Sequence, residues 1–495
     1  MSGRAVHFVL LIAGFFLSMI GSALGAQAPA NSGSGPKTTA LINWLSELST
    51  RSGHKVVSGQ YVGPNYGRPE SGFATLQDCY DADVGNLATA TGEYVGLVGF
   101  TPTNRPLAGG GSASDNMPDF TNIKPIALSY ANAGGIVAIT FIPSNPFTGE
   151  NCLNSTVPAG HTLGEIITPG TAANTQYMIW LSAFADGLQY FEDNGIPLIV
   201  RPFAEMNGGW FWWGTTSTSS ASDYIAVWQH CFNYLTVTRG LGNLLFSWAP
   251  DCNQSLSAAT ARYPGNAYVD IIGWSRYANT YTASNFYTTF NSATYGKTLM
   301  YAEVGKTAGT FNDPQIMTEI KTNFQNLTGY QFWMKTPTLD LSMIAGTNAS
   351  ALLSDAWTIN RGGVMKGGEF DDPSASITYS GTWNHVTGQT GFYLGTEAAA
   401  NTTGAYAELT FMGTGIQVMV KKDTGLGKFD VYIDNMTTPV ATNIDTYSSS
   451  TLFQQIVYSN LSLASGTHKI RIKLNGQKNP SSTGYWIGLD GFISQ

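Results

Sequence analysis

Ile199-Val200-Arg201-Pro202-Phe203-Ala204-Glu205-Met206-Asn207-Gly208-Gly209-Trp210-Phe211-Trp212-Trp213-Gly214 holds the densest chemistry in this chain. It begins inside an apolar run, Pro197–Phe203, that has the length and composition of a buried strand. It then passes into a segment with one carboxylate, one amide and four aromatic rings. Arg201 and Glu205 follow directly on apolar residues, which puts both at the end of a core strand. Charges there are costly unless paired or put to use. A carboxylate beside an amide and flat rings suits a sugar, with rings for its faces and polar groups for its hydroxyls. A structural Arg–Glu pair beside an aromatic surface loop is the plainer alternative.

Seven further apolar runs flank this one: Lys55–Tyr61, Tyr94–Phe100, Gly135–Phe141, Asn243–Trp248, Tyr268–Trp274, Thr298–Ala302 and Tyr330–Met334. Helical periodicity appears at Leu41, Trp44, Leu45 and Leu48, and over Gln176–Asn194, Asp223–Arg239 and Pro314–Gln325. Alternating strand and helix implies parallel β/α units. Eight units in roughly 300 residues imply a closed (β/α)8 barrel. Such barrels carry their chemistry at the C-terminal ends of the strands. Glu205, Trp248, Tyr277, Glu303 and Trp333 all fall there.

Glycoside hydrolysis commonly needs two carboxyl groups flanking the scissile bond. Glu205 and Glu303 end runs four and seven, so both can reach inward at one mouth. A separation of about 5–5.5 Å implies retention and about 6.5–9.5 Å inversion. Two close carboxylates cannot both ionise easily, so one pKa rises. The aromatic surroundings of Glu205 make it the expected acid. Glu303 is the expected nucleophile, held by Tyr277 and by Arg201. Asn207, Trp210, Trp248 and Trp333, with Arg201 and Tyr277, are the expected substrate contacts.

Arg201 to Gly214 resembles the acid/base signature of glycoside hydrolase family 26, and Ala302-Glu303-Val304-Gly305 resembles its nucleophile strand. Ser58-Gly59-Gln60, Asn145-Pro146 and Tyr277 are also similar to its pattern. The resemblance spans roughly residues 41–362. It implies a (β/α)8 barrel and a retaining mechanism, with Glu205 as proton donor, Glu303 as nucleophile and Tyr277 as partner of the nucleophile. The family consists largely of β-mannanases, with some β-1,3-xylanases and mixed-linkage glucanases. Two positions depart from its pattern: Ala204 and Ile142 stand where the family usually has histidines. The implied activity is hydrolysis of a β-1,4-mannan-type polysaccharide without a catalytic cofactor. Another β-glycan (β-1,3-xylan, mixed-linkage glucan or an exopolysaccharide), or a non-catalytic glycan binder, remains an alternative. The intact pair of acids argues against the binder.

Helical patterns stop near Arg361-Gly362-Gly363. Alternating segments take over at Ala405–Phe411, Gly415–Val420, Lys428–Ile433, Phe453–Tyr458, His468–Leu474 and Trp486–Ile493, as in an all-β sandwich. Residues 363–495 resemble a carbohydrate-binding-type sandwich of jelly-roll kind. Related sandwiches gather their chain ends around a structural calcium, which makes Glu369 and Asp490 its candidate ligands here. Trp383, Tyr393 and Trp486 are expected to bind sugar or to fill core.

The totals agree with this organisation. The 495 residues are too many for one ordinary domain. Charged residues make up 11% and glycines number 56, as expected of a secreted, loop-rich protein. A net charge of −8 argues against a nucleic-acid partner. Residues 1–26 read as a secretory signal: Arg4, an apolar run from Val6 to Ile20, then small residues. Residues 27–40 read as a flexible leader, 41–362 as the barrel and 363–495 as the sandwich. The expectation is an extracellular monomer, without membrane attachment once the signal is cleaved. Cys79, Cys152, Cys231 and Cys252 fit no metal motif, and export permits disulfides among them.

Overall fold

Eight parallel strands close into a barrel. Strand β1 is broken at Ser58 into Val56–Val57 and Gly59–Val62. The others are β2 (Leu97–Phe100), β3 (Ile136–Phe141), β4 (Leu198–Pro202), β5 (Leu244–Trp248), β6 (Ile271–Tyr277), β7 (Thr298–Gly305) and β8 (Leu327–Phe332). Each pairs in parallel with its sequence neighbours, and β8 returns to β1 through Val57 opposite Gly329 and Gln60 opposite Phe332. A ninth strand, β9 (Thr358–Ile359), lies outside the closed ring against β1. The computed structural model describes residues 27–50, 54–65, 72–103, 117–153, 155–215, 219–281, 285–306, 309–335, 340–364, 369–374, 376–464 and 466–494. The expected signal, residues 1–26, lies outside these.

Local chemistry sets the helices between the strands. Thr171 and Ser220 accept backbone N–H bonds from Asn174 and Asp223, and so start Ala172–Asp193 and Ala221–Asn233. The helix Pro36–Glu47 has proline in its first turn. Its stripe, Leu41, Trp44, Leu45 and Leu48, packs with Val57, Leu97, Ile136, Ile199, Leu245, Ile271 and Met300 of the strands. These strand residues lie toward the N-terminal ends, so the helix plugs the barrel floor and leaves the opposite end for the site.

The segment after residue 26 is not the flexible leader expected from its Ala/Pro/Ser/Gly composition. The Gln27 amide donates to the Asp270 carbonyl at 2.6 Å, and its oxygen accepts from the Thr298 N–H at 2.8 Å. Ala30 N–H donates to Asp270 Oδ1 at 2.6 Å, and Asn31 Nδ2 to the Leu241 carbonyl at 3.0 Å. Side-chain amides supply partners that small residues alone do not signal.

The chain then builds two antiparallel sheets. One contains β10 (Glu369–Asp371), β12 (Asn384–Val386), β13 (Glu397–Ala400), β15 (Ile416–Lys422), β18 (Leu452–Asn460) and β20 (Ile487–Ser494). The other has the order β11 (Ile377–Ser380), β14 (Tyr406–Gly413), β19 (Gly466–Lys478), β16 (Gly427–Ile433), β17 (Ala441–Asp445). Alternate residues Phe429, Val431 and Ile433 of β16 meet Val418, Val420, Leu489 and Phe492 from the other sheet in one core. All six expected strands are present. The short strands β10, β11, β12, β13 and β17 were not expected, because they carry little apolar alternation.

Candidate active site

The residues after β4 leave the barrel by an unusual path. Phe203 and Glu205 both have positive φ, 46° and 56°. Side chains with a Cβ resist this conformation at a cost of about 1–3 kcal/mol each. Hydrogen bonds hold the path: Phe203 N–H to the Phe141 carbonyl at 3.1 Å, and Glu205 N–H to the Ala249 carbonyl at 2.7 Å. The turn aims the Glu205 carboxylate into a cleft also lined by Arg201, Tyr277, Glu303, Trp210 and Trp333. Ile142, Leu153, Ala204 and Phe211 form the rest of its wall. Ala204 and Ala302, each just before a glutamate, form a buried cluster with Ala249.

Glu303 is surrounded by cationic and hydroxyl donors. Arg201 Nη2 donates to its Oε1, and the Tyr277 hydroxyl donates to its Oε2. Burial works against the Arg201 charge, but Glu303, Tyr61 and Glu205 together more than offset it and keep the guanidinium charged. Burial, then the Glu303 charge, pushes the Tyr277 hydroxyl far up, so it stays a donor. Gly305 is required here, because a Cβ on it would lie 2.4 Å from the Tyr277 ring. Arg201 also lies over the rings of Tyr61 and Trp333, at 5.4 and 5.7 Å from their centroids.

Glu205 has a different environment. Its Oε2 accepts one neutral donor, the Trp210 indole N–H, at 2.8 Å. Burial, followed by the charges of Glu303 and Asp251, raises its pKa to about 8. Asp251 is itself raised to about 6 by burial. Gly208 lets the indole fold back onto the carboxylate, since a Cβ there would meet the Trp210 ring at 2.4 Å. The site therefore pairs a carboxyl kept protonated near neutral pH with a second one whose two oxygens each accept a hydrogen bond. That combination suits a proton donor and a nucleophile.

The expected substrate contacts divide. Arg201, Trp210, Tyr277 and Trp333 line the cleft with both glutamates. Trp248 does not: it is fully buried and packs edge-on against Tyr263 and Phe290. Its position at a strand end is right, but its indole points into the core. Asn207 is also a correction. It is buried, with Nδ2 donating to the Asp251 carbonyl at 2.8 Å and Oδ1 accepting from the Asp251 N–H at 2.8 Å. It zips the loops after β4 and β5 together. Trp212, Trp213 and Trp274 are core.

Several residues at the site were not among the expected contacts. Leu153 and Phe211 line the cleft, and Asp251 adds a third carboxylate. Gln60 positions Trp333 by donating to its carbonyl at 3.0 Å while accepting from Met343 N–H at 2.8 Å. Only its place in Ser58-Gly59-Gln60 signalled it. The four cysteines are buried, and no disulfide joins them. Among the described residues, no three His, Cys, Asp or Glu side chains are gathered to hold a metal. Asp490 is buried, with Oδ1 accepting from the Tyr393 N–H at 2.8 Å and Oδ2 unpartnered. The Glu369 side chain lies outside the described residues.

The family model for "Glycosyl hydrolase family 26" matches residues 30–363. The chain belongs to this family. It is 29% identical over 350 residues to a mannan endo-1,4-beta-mannosidase of Bacillus subtilis strain 168, covering 69% of this chain and 90% of that one. A mannan endo-1,4-beta-mannosidase of Caldalkalibacillus mannanilyticus is 27% identical over 380 residues, covering 74% and 69%. The solved Bacillus subtilis mannanase structure aligns with a TM-score of 0.59 at 27% identity, covering 68% of this chain and 96% of that one. The chain is a glycoside hydrolase, and none of these matches extends over all of it.

Proposed function

We propose that this glycoside hydrolase is a secreted, monomeric endo-β-mannanase that cleaves β-1,4-mannan by double displacement. The observation that carries the reading is the contrast between two glutamates sharing one cleft. Glu303 attacks the anomeric carbon as the glycosidic C–O bond breaks, and Glu205 gives its proton to the leaving oxygen. Glu205, now ionised, takes a proton from water, which then displaces Glu303 from the sugar. Tyr277 and Arg201 hold and aim the nucleophile through hydrogen bonds to its two oxygens, and Trp210 and Trp333 supply aromatic faces. No cofactor enters these steps.

The relatives named as mannan endo-1,4-beta-mannosidases support mannan as the substrate. Cleavage of another β-glycan is the second reading, favoured by Ile142 and Ala204, which give the cleft an apolar wall beside the acids. The deciding assay offers mannan, glucomannan, β-1,3-xylan and mixed-linkage glucan, measures new reducing ends and follows the first-formed anomer by NMR. Mannan cleavage with retained configuration is expected. An inverted product ends the double displacement, and preference for xylan or glucan selects the second reading.

The sandwich is proposed to bind glycan. Its Asp371, Asp372 and Asp490 carboxyls are all pushed up by burial, to about 7, 7 and 6. Asp371 Oδ1 and Asp490 Oδ2 lack hydrogen-bond partners. Carboxylate oxygens suit a hard cation, and Asp490, with Glu369, is proposed to hold a structural calcium. A melting temperature unchanged by chelator would count against it.

A further inference from the structure

A second cleft lies on the sandwich, far in sequence from the glutamates. It is lined by Glu397, Lys421, Asp423, Gly425, Thr483 and Trp486 among others. Two loops that form it are laced together. Thr483 N–H donates to the Thr424 carbonyl at 2.9 Å, and Gly427 N–H donates to the Trp486 carbonyl at 2.7 Å. A Cβ on Gly484 would come within 2.6 Å of the Gly425 carbonyl, so only glycine allows the loops to close this far. The shape is set before any ligand arrives, which reduces the ordering cost of binding.

Trp486 stands on this rigid support and is 37% exposed, against near-complete burial of Trp212, Trp213, Trp248 and Trp274. A tryptophan that fills core does not need such exposure. Lys421 Nζ lies 3.0 Å from Glu397 Oε1 and keeps further N–H donors. The Thr424 N–H donates to Asp423 Oδ1 at 2.6 Å and leads the contacts that hold this carboxyl below its ordinary range. It stays ionised and can accept hydroxyl protons.

The charges select the ligand. Glu397 and Asp423 against Lys421 leave one net negative charge, which repels anions, and the ammonium repels metal cations. A neutral ring with several hydroxyls and an apolar C–H face satisfies every group. The hydroxyls meet the carboxylates and the ammonium, and the C–H face lies on the indole. We propose that this cleft is a binding subsite for a neutral sugar unit of the polysaccharide, one that keeps the enzyme on its polymer. It rests on the reading of the sandwich as a glycan-binding domain and supplies its location and ligand class.

The test measures depletion of the full-length protein from solution by insoluble mannan. Trp486→Ala should weaken the partition about tenfold or more, in the range of a binding hot spot, whereas Trp486→Phe keeps an aromatic platform and should recover most of it. Equal melting temperatures establish that the variants are folded. If Trp486→Ala melts early, Lys421→Met provides the same test from the polar side. Undiminished partition of Trp486→Ala or, in that case, of Lys421→Met overturns the cleft. So does preference for an anionic polymer such as polygalacturonate over mannan. Hydrolysis separates the two claims. Wild type that binds mannan through Trp486 yet cuts none sinks the mannanase reading alone. Wild type that cuts mannan with binding insensitive to Trp486 sinks the cleft alone.

Discussion

The ends of β4 and β7 each deliver a glutamate to the same cleft, yet give it opposite surroundings. At β7 the backbone stays in strand, with a register shift between Tyr301 and Glu303 in its pairing to β6, and Glu303 receives a guanidinium and a phenol. At β4 the chain turns through two left-handed residues, and Glu205 receives one indole N–H. The donors at β7 occupy both oxygens of Glu303; burial and neighbouring negative charge at β4 favour the neutral form of Glu205. Identical side chains thus acquire different chemistry from what the rest of the barrel aims at them. The strained backbone stands on the side of the proposed proton donor.

The largest break in this comparison comes from Glu303→Gln, which removes the oxygen proposed to attack but keeps the shape. Turnover of mannan should fall on the order of 10⁴-fold or more, as when a covalent nucleophile is lost. Steady-state kinetics with matched melting curves would measure it; a loss below tenfold would mean that another group attacks.

Glu205→Gln should cost roughly 10²–10⁴-fold, the usual contribution of a general acid. The loss should shrink with an activated aryl leaving group, which needs less protonation. An equal loss on both substrates would remove Glu205 from the proton-donor role. In the proposed mechanism the acid must hold its proton, and a pKa near 8 places the alkaline fall of activity around that pH.

The sequence showed this contrast only in part. Strand–helix alternation and the positions of Glu205 and Glu303 at strand ends gave the barrel and its mouth, because core periodicity is written in consecutive residues. The aromatic segment pointed to Glu205 as the carboxyl whose pKa is raised. Side-chain direction was not legible. Trp248 and Trp333 both sit at or just beyond strand ends, but one faces core and the other the cleft. Asn207 looked like a sugar contact because its partner, the Asp251 backbone, is 44 residues away. The fixed leader had the same cause: Gln27 and Ala30 bond to Asp270, more than 200 positions on. Contacts made across the barrel leave little mark on local pattern.

Asp251 offers the finest probe of the difference, because it acts on Glu205 from outside the cleft lining. The Asn207 clamp fixes its backbone beside the loop that carries the acid. Its carboxylate, raised to about 6, is ionised near pH 8 and so opposes ionisation of Glu205 there. The cleft's other charged and titratable groups, Arg201, Glu303 and Tyr277, are unchanged in Asp251→Asn, which removes one negative charge and keeps the shape. Glu205 should then lose its proton more easily, so the alkaline limb of kcat/KM should move toward lower pH. The rate below that limb should change far less than in either glutamate variant. A limb that stays in place, with a uniform fall at every pH, would make Asp251 a structural brace and leave burial and Glu303 as the causes of the raised acid.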